Sequence, residues 1–110
     1  MPRLRLVSIV CRRAQDFNAI DETYILVNGQ EVWGPVQMRG HTTRDLTQQV
    51  QPIPFEGTAT LEVREQDTPV NQDDSLGAQE VSAELLRAGV KECLFKKGGG
   101  DYSVHYEVIS

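Results

Sequence analysis

The sequence predicts an all-β fold, an antiparallel sandwich of eight strands, and three observations lead there. Apolar and polar residues alternate with period two through most of the chain. Turn residues interrupt that alternation at short, fairly regular intervals, the spacing of a two-sheet sandwich. Only one stretch breaks the β pattern, and it is eight residues long.

The predicted strands lie at about 3–11, 22–28, 31–38, 49–55, 58–65, 76–82, 91–97 and 101–109. Asn28-Gly29 joins the second to the third, because both residues tolerate positive φ in a two-residue hairpin. Trp33 sits in the third strand beside Gly34-Pro35, which suggests a bulge or an edge position. Phe55-Glu56-Gly57 forms the next short turn. The fifth strand, GTATLEVRE, alternates cleanly and puts Ala59, Leu61 and Val63 on one face. SAELLRAG, Ser82 to Gly89, has a Ser cap, good helix formers and a terminal Gly, and predicts about two turns of helix between strands six and seven. Gly98-Gly99-Gly100 precedes a strand rather than a helix, so it lacks the N-terminus that a phosphate loop uses and serves as a hairpin turn. The last strand, DYSVHYEVIS, places Tyr102, Val104, Tyr106 and Val108 in the core.

At 110 residues the chain has the length of one domain, and burial of roughly 65% of its unfolded surface lets it fold without a staple. The net charge of −5 has the wrong sign for a nucleic-acid binder. No stretch has the length of a membrane span or a signal-peptide core, so the expectation is a soluble cytoplasmic monomer. Cys11 and Cys93 are too few for a disulfide framework or a zinc cage and are expected as buried free thiols. His41 and His105 lack metal-ligand spacing, and no nucleophile motif is present, so the chain is not expected to be an enzyme.

Antiparallel order puts alternate connections at the same end. The turns at 28–29 and 56–57 and the short helix share one end, and the long polar connections at 12–21, 39–48, 66–75 and 98–100 share the other. Binding function favours such loops. The first brings Asp16, Asp21 and Glu22, and the third, EQDTPVNQDDSLG, brings Glu65, Asp67, Asp73 and Asp74. Carboxylates gathered at one rim repel one another and destabilise the fold. A hard cation with oxygen ligands removes that cost, and calcium accepts six to eight oxygens in irregular geometry. The bland alternative is that these aspartates are solvated turn residues, neutralised in the first loop by Arg12 and Arg13.

VREQDTPVNQDDSLG and DFNAIDETYILV together resemble the C2 domain, a calcium- and phospholipid-binding sandwich of eight strands. The resemblance lies in an acid-x-acid pair ending a strand, Glu65 and Asp67, then a further Asp at Asp74 and a Gly at Gly77. It extends to Asp16, Asp21 or Glu22, and Tyr24 in the first loop. Glu65 stands where the family usually has Asp, and no proline precedes Tyr24. The strand order suits the circular variant in which the metal loops follow strands one, three and five.

The resemblance implies Asp16, Asp21, Glu65, Asp67 and Asp74 as calcium ligands, with Glu22 and Asp73 as neighbours that could substitute. Phe17 and Val70 fall at the loop tips, where they either dip into a bilayer or fold inward over the end of the core. A calcium-dependent association with anionic phospholipid or a protein, peripheral to a membrane, is the function implied. A metal-independent interaction or structural domain is the alternative.

Overall fold

A computed structural model of the chain describes residues 1–14, 20–66 and 74–110. Among them are nine strands: β1 Arg3–Arg13, β2 Ile20–Val27, β3 Gln30–Arg39, β4 Thr42–Asp45, β5 Ile53–Pro54, β6 Thr58–Glu65, β7 Asp74–Ser82, β8 Lys91–Phe95 and β9 Asp101–Ile109. Every strand ladder is antiparallel. One sheet runs β4-β1-β9-β8, with β5 also pairing to β1, and the other runs β3-β2-β6-β7. The expected all-β sandwich is therefore the fold.

Alternation explains the core. Tyr102, Val104, Tyr106 and Val108 of β9 all point inward and are buried, as are Ala59, Leu61 and Val63 of β6. In β1 the inward set is Leu4, Leu6, Ile9 and Cys11. The step of three between Leu6 and Ile9 is a bulge, where the register against β9 shifts between Leu6 and Ser8. One extra residue there restores the inward phase for Ile9 and Cys11. Both thiols are free and buried.

Three expectations are corrected. The strand count is nine rather than eight, because the fourth expected strand is divided. β4 forms inside what reads as a loop, its Thr42 and Thr43 pairing with Cys11 and Val10. Past Asp45 the chain turns rather than extends. The Asp45 carboxylate accepts the Thr47 N–H at 2.8 Å and its hydroxyl at 2.7 Å. Gln49 and Val50 then donate to the Leu46 carbonyl. With Pro52 and Pro54 unable to donate to a ladder, only Ile53–Pro54 remains of the strand expected at 49–55.

The short helix is the second correction. Ser82 does cap, accepting the Glu84 N–H at 3.1 Å, but only one 3₁₀ turn follows, Ala83–Leu85. Leu86 leaves the helical region, and the Arg87 N–H donates to the Val108 carbonyl of β9 at 3.1 Å. Eight residues barely exceed the costly helical nucleus, so docking onto β9 decides the conformation.

The third correction concerns strand ends. β2 begins at Ile20 and β7 at Asp74, so Asp21 and Asp74 are strand residues rather than loop residues.

Candidate functional site

The site follows from carrying the inward phase to the strand ends. In β2 that phase reads Asp21, Thr23, Ile25, Val27, and in β6 it reads Ala59, Leu61, Val63, Glu65. Thr23 stands opposite Glu65 in the ladder. At this end the core therefore changes from apolar to polar while remaining shut off from water. Asp21 and Thr23 are 0% exposed and Glu65 is 2% exposed.

The facing sheet supplies Cys11 and Tyr102, which are register partners on β1 and β9. The Tyr102 hydroxyl donates to Asp21 Oδ2 at 2.6 Å and lies 2.9 Å from Thr23 Oγ1. A carboxylate can only accept and a phenol has one proton, so the Thr23 hydroxyl is the donor in the second bond. Burial pushes the Tyr102 phenol far above its ordinary range, and donation to Asp21 adds to the effect. The Cys11 thiol lies against the same hydroxyl and is itself raised, first by burial. A buried carboxylate is tolerable only when it is hydrogen-bonded. Tyr102 supplies such a bond to Asp21 from across the sandwich.

Asp74 stands directly opposite Glu65 at the start of β7 and is exposed. Like charges in directly opposed positions destabilise a sheet, so this pair favours a cation between or above the two side chains. Glu22 points to the outer face and is exposed, while its carbonyl accepts the Gln66 N–H at 2.7 Å. Asp16, Phe17, Asp67, Val70 and Asp73 lie outside the described residues. Asp21, Glu65 and Asp74 come from three neighbouring strands, β2, β6 and β7, and meet at the same end of one sheet. Their donor set is oxygen only, which suits a hard cation. Among the described residues, no three His, Cys, Asp or Glu side chains come together as a set that could hold a metal.

Arg12 is engaged on the outer face of the other sheet, 3.3 Å from Glu92 and 3.6 Å from Asp101. His105 also faces outward, between Ser8 at 3.3 Å and Glu92 at 3.1 Å. Trp33 is buried, its indole N–H donating to Gln49 Oε1 at 2.7 Å, so its ring is packing rather than an exposed platform.

Sequence reasoning missed Thr23 altogether and took Tyr102 for plain core. The signal was present in both cases. Continuing the inward phase back from Val27 lands on Thr23 and Asp21, and a core tyrosine needs a partner for its hydroxyl.

No family model matches the chain, and no curated protein does. Among solved structures the chain is similar to one described as the structure of a C2 domain, at 19% identity and a TM-score of 0.54, covering 97% of this chain and 96% of that one. It is also similar to human GIVD cytosolic phospholipase A2, at 11% identity and a TM-score of 0.51, covering 99% of this chain but 17% of that one. A Drosophila C2-DSL-EGF1 structure matches at 16% identity and a TM-score of 0.47, covering 98% of this chain and 66% of that one. At these identities the similarity shows the fold: a divergent C2-like sandwich. Among the described residues no helix is long and apolar enough to cross a membrane.

Proposed function

We propose that this C2-like sandwich is a binding module that takes up calcium at its acidic end. The observation that carries the reading is the inward burial of two carboxylates, Asp21 and Glu65, with Asp74 opposite the second. Asp16, with Phe17 beside it, and Asp67, Val70 and Asp73 belong to the two connections that leave these strands. In this reading Asp16, Asp21, Glu65, Asp67 and Asp74 hold the ion, and Glu22 and Asp73 are its neighbours. Bound calcium supplies positive charge where the chain has a net −5, allowing an anionic phospholipid or an acidic protein to approach.

The test is thermal unfolding in chelator, in magnesium and in calcium. Calcium at about a hundred times its dissociation constant is expected to add roughly 2.7 kcal/mol, well beyond the effect of magnesium. Asp67→Asn with Asp74→Asn is expected to abolish that gain. The second reading is a metal-independent interaction or structural domain, favoured by the hydrogen bond that Asp21 already receives from Tyr102. It requires no calcium shift, and a double variant at least as stable as the parent because repulsion is relieved.

A further inference from the structure

We propose that Tyr102 is the positioning residue of the calcium site, acting across the sandwich from the opposite sheet. This inference rests on the calcium reading above and assigns a role in it to a residue that touches no ion.

The geometry forms a short chain with one direction. Thr23 donates to the Tyr102 oxygen, and Tyr102 donates to Asp21 Oδ2. With Thr23 already donating to its oxygen, the phenol directs its single proton at the carboxylate. The 2.6 Å bond then fixes the Asp21 carboxylate before any cation arrives. The tyrosine ring is 0% exposed and is packed in the core, so it holds that bond from a rigid support. Thr23 is also the register partner of Glu65, so one threonine stands beside the second expected ligand and fixes the tyrosine that orients the first. Partners of this kind set the orientation and basicity of a metal ligand, and their loss typically lowers metal affinity about 10–100-fold.

Tyr106 provides the contrast. It lies on the same strand and is buried, but its hydroxyl meets the Cys93 thiol rather than a carboxylate. A purely structural role for Tyr102 would make the two tyrosines behave alike.

The experiment is a calorimetric calcium titration of the parent protein, Tyr102→Phe and Tyr106→Phe, with unfolding of each in chelator as the stability control. Tyr102→Phe is expected to raise the calcium dissociation constant about 10–100-fold, and Tyr106→Phe to leave it unchanged. A tyrosine ultraviolet difference signal on calcium addition is expected in the parent and in Tyr106→Phe, and to vanish in Tyr102→Phe. Thr23→Val weakens calcium in the same direction and supplies the test should Tyr102→Phe fail to fold, while Thr23→Ser restores affinity. Equal calcium affinity in the parent, Tyr102→Phe and Thr23→Val overturns the positioning role and leaves the calcium reading standing. A parent that binds no calcium overturns both.

Discussion

Gly34→Ala is expected to destabilise the protein by about 3 kcal/mol, a large part of the roughly 5–15 kcal/mol that holds a domain folded. Two effects add. Gly34 has φ +85°, where any side chain costs about 1–2 kcal/mol. A Cβ there would also overlap the Thr23 carbonyl oxygen and press on Tyr24 Cα and Cβ at 3.0 Å. Those atoms are largely backbone, so the strands must part, and overpacking of this kind costs about 1–3 kcal/mol. The approach coincides with the register shift between Thr23 and Ile25 in the β2–β3 ladder. Gly29→Ala is the control, since Gly29 has φ +80° but nothing within 4 Å of its Cβ position. Urea midpoints would separate the two variants. Equal losses at both positions would mean that only backbone conformation matters and that β3 yields freely to β2. Because the overlap falls on Thr23, Gly34→Ala should also disturb the hydroxyl that supports Tyr102.

Stability is expected to fall steeply in alkali, beginning near pH 9. Cys11 and Cys93 are raised above 9.0, and Tyr102 and Tyr106 above 10.0, Tyr106 to about 12, with burial the leading cause each time. The unfolded chain therefore loses these protons before the folded chain does. Each group's contribution is complete below its unfolded value and is lost as pH rises toward its folded value. For Tyr102 the loss is about 1.4 kcal/mol per pH unit above 10. Denaturant unfolding at a series of pH values would measure it, and Tyr102→Phe should flatten the slope by that amount. A parent whose stability is level between pH 9 and 11 would contradict the burial of all four groups.

The parts of the fold that were legible in the sequence are those where apolar residues carry the alternation. β9 and β6 could be read directly, because their inward positions are Tyr, Val, Leu and Ala. Asp21 was placed in a loop because a polar residue in an inward phase looks like the end of a strand. Its burial depends on Tyr102, which is 81 residues away and lies on the other sheet. β4 was missed because Thr42, Thr43, Arg44 and Asp45 carry no apolar pattern. They form a strand because β1 offers them a free edge. The helical signal in 82–89 was sound locally and lost to a contact with β9 that no local pattern contains.

The pairing of β1 with β9 has a mechanical consequence. Arg3 stands opposite Ile109, and the Arg3 guanidinium donates to the Ser110 carbonyl at 2.6 Å, both at the end of the sandwich away from Asp21 and Glu65. Any tether joined at residue 1 or 110 leaves from that far end, so the acidic rim points away from whatever holds the molecule. The same arrangement sets how the ladder responds to load. Antiparallel hydrogen bonds lie across the strands, so a pull at these two adjacent points acts along the bonds and opens them one pair at a time, like a zipper.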